Sequence, residues 1–125
     1  MKEKGVQAIS DIVSKLPSND KIIMVDVTEI LDSGLTGVVA IKIAEQFNKP
    51  CILLKKHYDS KSKKIAYGGS ARNIDHSPID SFKDIVNKTG VINGKGHANA
   101  FGIVDLSLEN KEKAISVIND ILKDI

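Results

Sequence analysis

Arg72 is the single arginine of a chain with seventeen lysines, and it stands in "GGSAR" (68–72). A lysine ammonium is a solvated point charge, whereas a guanidinium is a rigid fork that meets two oxygens of a phosphate or carboxylate at once. A sequence that uses Lys elsewhere and Arg here puts the fork where geometry counts, unless Arg72 is an ordinary surface residue. A second group, Gly94, Gly96 and His97, lies in "INGKGHANAFG" (92–102). Glycines let backbone N–H groups converge on an anion, and a helix or turn beginning at His97 would add its partial positive charge. The competing reading is a plain glycine-rich loop joining helix to strand. The third group is "SGLTG" (33–37), where free N–H groups and the Thr36 hydroxyl could hold a ligand. Its spacing is not that of a P-loop, and close helix packing through Gly34 and Gly37 explains it equally well.

Other chemistry finds little support. Asp26, Glu29 and Asp32 have no histidine beside them and read as a turn and a cap. In "DHS" (75–77) the acid and His76 point to opposite sides of an extended chain. His57, next to Tyr58, opens a lysine-rich stretch and reads as exposed. There is no nucleophile elbow. Cys51 is the one cysteine, which excludes an internal disulfide or a multi-cysteine zinc site, and its place in "CILL" suggests a small buried hydrophobe.

These residues need elements to position them. Val6, Ile9, Val13 and Leu16 recur at helical spacing, predicting a helix over 4–16 closed by Pro17. "KIIMVDV" is a continuous apolar run, the mark of a strand covered on both faces. "DSGLTGVVAIKIAEQFNKP" reads as a helix apolar around most of its circumference, hence buried, capped by Asp32 or Ser33 and ended before Pro50. "CILLKK" is a second strand, so residues 22–55 form a βαβ unit with parallel strands and a right-handed crossover. The polar segment "HYDSKSKK" leads to a weaker strand, "KIAYGGSAR". Ser77 as N-cap and Pro78 at the first helical position open a helix with Ile79, Phe82, Ile85 and Val86 inside, ended by Gly90. "FGIVDLS" alternates as a half-buried strand. Ala114, Ile115, Ile118, Ile121, Leu122 and Ile125 make one stripe of a last helix. The class is α/β, with a mixed sheet of four or five strands flanked by helices.

The chain of 125 residues is the size of one domain, so residues 1–125 are expected to form a single unit. Hydrophobic residues at 42% and charged residues at 27% are ordinary globular values. No apolar run approaches the roughly 20 residues that span a bilayer, and "MKEKGVQAIS" lacks the apolar core of a secretory signal. A cytoplasmic protein without a membrane partner is expected. The net charge of +2 hides an uneven distribution: residues 55–104 carry nine bases against four acids, while both flanking segments carry more acids than bases. The positive charge sits with the glycines.

Taken in order, "GLTGVVAIKIAEQFNKPCILLKK", "GGSARNI" and "GKGHANAFG" resemble the C-terminal DHH-associated domain of the RecJ-like DHH phosphoesterases, a family of single-strand-specific exonucleases and oligonucleotide-degrading hydrolases. The likeness covers residues 22–107, and three ordered motifs are far more specific than any one. It implies that Ser70 and Arg72, at the G-S-x-R positions, bind the phosphate of a nucleotide or single strand. Gly94, Gly96 and His97, continued by Asn99, Ala100 and Gly102, match the loop that lies against that phosphate and faces the partner domain's metals. Thr36 and Gly37 match the start of the buried helix. Lys95 separates the two glycines, Phe101 replaces a small residue and either stacks on a base or fills the core, and Asp32 stands where many relatives carry histidine.

The family's catalysis belongs to a separate domain whose Asp and His residues hold two divalent metals, manganese or magnesium. No Asp-His-His motif occurs in this chain. The resemblance therefore implies a binding domain without its own catalysis, cofactor or metal. Its partners would be single-stranded nucleic acid or an oligonucleotide, and a catalytic DHH domain in the same or another chain. Lys55, Lys56, Lys61, Lys63, Lys64 and Lys95 are expected to attract the strand electrostatically. The competing expectations are a small phosphoesterase complete in itself and an interaction domain that has lost its ligand.

Overall fold

Apolar runs and turn residues sort the chain into the elements of an α/β sheet, seen in a computed structural model that describes residues 2–16, 21–61, 63–75 and 77–123. In order they are α1 (Lys2–Val13), β1 (Ile23–Asp26), a 3₁₀ turn (Ser33–Leu35), α2 (Thr36–Phe47), β2 (Cys51–Asp59), β3 (Lys64–Arg72), α3 (Phe82–Lys88), β4 (Asn93–His97), β5 (Ala100–Ser107), a 3₁₀ turn (Leu108–Asn110) and α4 (Lys111–Leu122). The five strands form one sheet in the order β1-β2-β3-β5-β4. β1 and β2 are parallel across the α2 crossover, and every other pairing is antiparallel, so the sheet is mixed.

Each face of the sheet has its own core. On one, Ile9 and Val13 of α1 and Val39 and Ile43 of α2 bury Ile23, Val25, Cys51 and Leu53. On the other, Phe82, Val86, Ile118 and Leu122 from α3 and α4 bury Ile52, Leu54, Tyr67, Ala71, Phe101, Ile103 and Leu106. The first core takes residues from β1 and β2 but none from β4 or β5. Those two strands are therefore covered on the α3/α4 side and open on the α2 side. No helix of the described residues is long and apolar enough to cross a membrane.

Several boundaries differ from expectation, each for a local reason. α1 ends at Val13 rather than residue 16 because Lys15 and Leu16 bond three residues back, to Ile12 and Val13, tightening the last turn. α2 is buried along one stripe only: Val38 and Ile41 are each 42% exposed. Asp32 precedes the 3₁₀ turn with no side-chain cap bond, and α2 proper begins at Thr36. Asn48, in the left-handed region, ends it before Pro50. The polar "HYD" (57–59) continues β2 instead of leaving it.

Ser77 is not the cap of α3. Its hydroxyl accepts from the Ile79 amide in a short turn, and Ser81 caps the helix by accepting from Asp84 N–H. The next free amides, Phe82 and Lys83, are taken by Asn99 Oδ1 and the Ala98 carbonyl, so the turn between β4 and β5 fixes where α3 starts. Gly90, with φ 69°, closes α3 as expected. The segment 92–102 is not a loose loop but the β4–β5 hairpin, and no helix begins at His97. The stripe of α4 runs through Ala114, Ile118 and Leu122; Ile125 lies outside the described residues.

Candidate functional site

Alternation along β3 sends Lys64, Ala66, Gly68, Ser70 and Arg72 to the α2 face and Tyr67, Gly69 and Ala71 to the other. Two of the expected groups meet there. Thr36, at the first turn of α2, shares a hydrogen bond with Ser70 through the two hydroxyls at 2.8 Å. Gly37 supplies the space beside it: a β-carbon there would lie 2.6 Å from Arg72 Nη2 and 3.7 Å from Ser70 Oγ. Arg72 Nη1 donates to the carbonyls of Ala71 (2.7 Å) and Phe101 (3.3 Å), which orients the guanidinium and brings Nη2 over the helix start. Two hydroxyls and an oriented fork thus meet at the start of α2, donors of the kind that a phosphate or carboxylate accepts from.

The hairpin extends that spot across the sheet. Arg72 pairs with Ala100, and Ala100 with His97; Ser70 pairs with Gly102, and Gly102 with Lys95. His97 and Lys95 therefore stand on the same face as Arg72 and Ser70, two strands away, about 10 Å by the strand spacing. Between them Ala100 and Gly102 form a low floor. Gly96 (φ 135°) has the Phe101 backbone and the Ala100 carbonyl packed where a side chain would begin. The outer edge of β4 is held by α3: Asn87 bonds both the amide and the carbonyl of Gly94, and Lys83 Nζ donates to the Gly96 carbonyl at 2.7 Å. A covered edge resists pairing with another strand.

Some expected ligands are placed for other work. Gly94 faces the α3 side, where a β-carbon would collide with the Phe101 ring at 2.6 Å. Asn99 spends its whole amide inside the chain, accepting from Asn73 Nδ2 (2.9 Å) and Phe82 N–H (3.1 Å) and donating to the Asp80 carbonyl (3.0 Å). Phe101 fills the core edge-on to Phe82 with ring centroids 5.5 Å apart, so it offers no face to a base. Lys55 is half-buried, its ammonium bonded to the Thr28 (3.0 Å) and Leu31 (2.8 Å) carbonyls, where it braces the segment after β1. Lys56 lies 3.8 Å from Asp26. Lys61, Lys63, Lys64 and Lys95 are exposed.

Asp26 makes the turn expected of it, accepting from the Thr28 amide and hydroxyl and, across the sheet, from the Tyr67 hydroxyl. Burial pushes its carboxyl upward, but those hydrogen bonds and the Lys56 charge outweigh it, and the carboxyl sits below its ordinary value. Burial, then the Asp26 bond and charge, push Tyr67 up to about 12. Cys51 is fully buried, and burial raises its thiol. Among the described residues no group of three or more His, Cys, Asp or Glu is placed to hold a metal ion. His76 lies outside the described residues.

One residue passed over in the sequence belongs to this face. His57 sits on β2 opposite Ala66, and its imidazole lies over Gly68, 3.2 Å from where a β-carbon would be. It lines a cleft of about 430 Å³ with Thr36, Lys55, Lys56, Gly68, Gly69 and Ser70. The signal was the spacing of β2, readable only once "HYD" is known to continue the strand.

No family model matches the chain. Over 122 residues it is 35% identical to YorK of Bacillus subtilis strain 168, named as an SPbeta prophage-derived single-strand DNA-specific exonuclease; the match takes in 97% of this chain. The counterpart in Bacillus phage SPbeta matches to the same extent. Crystal structures of RecJ superpose on it: the magnesium complex from Thermus thermophilus with TM-score 0.72 over 99% of this chain, and a manganese-bound exonuclease RecJ with TM-score 0.68 over the same share. The chain has the fold of one part of RecJ. It spans 21% of YorK and 18% and 29% of the two RecJ chains, so it corresponds to one part of a longer chain in each. At 16% identity the RecJ structures speak for the fold alone.

Proposed function

We propose that this RecJ-like domain binds single-stranded nucleic acid and presents it to a metal-dependent exonuclease domain, without hydrolysing it alone. The observation that carries the reading is the oriented Arg72 fork at the Thr36–Gly37 helix start, joined by Ser70, beside the strands β5 and β4 that α2 leaves open. A phosphate there would accept from Arg72 and the Ser70 and Thr36 hydroxyls, with His97 and Lys95 on the far side of the Ala100–Gly102 floor. YorK's name supports DNA as the strand. Manganese or magnesium belongs, in this reading, to a catalytic DHH domain that faces the hairpin, and the setting is cytoplasmic.

The test is equilibrium binding of a short single-stranded oligonucleotide at low salt, read by fluorescence anisotropy. Arg72→Ala is expected to weaken binding about tenfold or more, the scale of a lost charge-assisted hydrogen bond. Arg72→Lys should recover little, because an ammonium cannot reproduce the fork. Parent-like affinity in Arg72→Ala would overturn the reading.

A further inference from the structure

The face that carries Arg72 has a second group of donors that the reading above leaves unused. His57 is exposed on β2 with its imidazole laid over Gly68, whose missing side chain is what allows the ring to lie on the sheet. Gly68 is four residues from Arg72 along β3, about 13 Å in an extended strand. One phosphate cannot reach both. The cleft of about 430 Å³ is lined by His57, Gly68, Gly69, Ser70 and Thr36, and Ser70 and the start of α2 adjoin Arg72. Lys55, its ammonium fixed by two carbonyls, and Lys56 line it as well.

We propose that His57 is a second phosphate subsite, taking a further phosphodiester of the same strand whose first phosphate lies on Arg72. An imidazole donates an N–H in either charge state, so the contact needs no change of protonation. On this face of β3 only Ser70 stands between Gly68 and Arg72, which leaves room for the chain of the ligand to pass between the two subsites. The strand thereby runs along β3, from Arg72 toward Lys64, rather than only across the sheet toward His97. The proposal rests on the single-strand reading and predicts something it does not: that affinity rises with ligand length through His57.

Two ligands separate the possibilities: thymidine monophosphate, which can fill one subsite, and an oligothymidylate of about six nucleotides, within the usual site size of single-strand binders. His57→Ala is expected to weaken the oligonucleotide about fivefold, the scale of one ordinary hydrogen bond, and to leave the monophosphate unchanged. His57→Gln, which keeps an N–H donor, should recover most of the loss. Equal losses for both ligands, or none for either, would overturn the second subsite. If Arg72→Ala weakens both ligands while His57→Ala weakens neither, the subsite fails and the single-strand reading stands. If the parent binds neither ligand, both fail together.

Discussion

Gly37 shows how a single missing methyl group can be worth more to a site than to a fold. It is the second residue of α2, where an alanine would strengthen the helix by up to about 1 kcal/mol. The space its side chain would take holds Arg72 Nη2, 2.6 Å from the would-be β-carbon. That atom is the far end of a flexible side chain, so the guanidinium can swing away at small cost to stability. Gly37→Ala is therefore expected to raise or preserve the melting temperature while weakening oligonucleotide binding several-fold. A parallel loss of both would mean that Gly37 serves packing alone. Gly69 is the opposite case: a side chain there would strike the Leu53 carbonyl, so its glycine belongs to the sheet. Residue types alone did not separate these roles. "GGSAR" and "SGLTG" come together at the start of α2, whereas Gly94 and Asn99, equally suggestive in sequence, are the packing seat of Phe101 and the clamp on α3.

At the scale of elements, the apolar runs were legible wherever burial came from one face of a helix or both faces of a strand: α1, β1, α2, β2, β3, β5 and α4 lie where periodicity places them, within a few residues. The segment 92–102 was not, because β4 is an edge strand made of "NGKGH", with no alternating apolar residue to announce it. Its strand form depends on pairing with β5 and on Asn87 and Lys83 of α3, partners distant from any local pattern. The start of α3 escaped for a similar reason, its first amides being held by residues 98 and 99. Asp26 is the corresponding tie at the other end of the sheet, joining β1 to Tyr67 of β3 and Lys56 of β2. Its carboxyl titrates below the ordinary value, so it stabilises the fold above about pH 4 and loses that contribution as pH falls through the lower folded value. Asp26→Asn is expected to cost roughly 1–2 kcal/mol at neutral pH, from weakened hydrogen bonds to a lost charge. Below pH 4 the variant and parent should converge in urea midpoint; a constant gap down to pH 2 would show that the charge of Asp26 is not what holds the three strands.

For the whole molecule, what matters is that charge and uncovered surface coincide. The net charge is only +2, yet residues 55–104 hold nine bases against four acids, and this stretch supplies β3, β4 and most of the open face. Alternation along β3 sets Lys64 at one end of that face and Arg72 at the other, with Ala66, Gly68 and Ser70 between; Lys95 and His97 flank it from β4. Lys55 is committed to internal carbonyls, whereas strand alternation sets Arg72, Lys64 and Lys95 on this face, where they are positioned to displace counterions from a strand. Each phosphate neutralised on a single strand contributes about 0.7 to the slope of log affinity against log salt. Three such contacts predict a slope of about −2, modest beside proteins that wrap long tracts. Arg72→Ala and Lys64→Ala should each reduce its magnitude by about 0.7, but they should differ in what remains at high salt. Arg72 adds a fixed fork and would still favour the parent there, whereas Lys64, an exposed point charge, would not. Anisotropy titrations of the three proteins over a range of salt concentrations check this. A slope near zero in the parent would remove the electrostatic basis of binding, and identical high-salt affinities for Arg72→Ala and the parent would reduce Arg72 to one more surface charge.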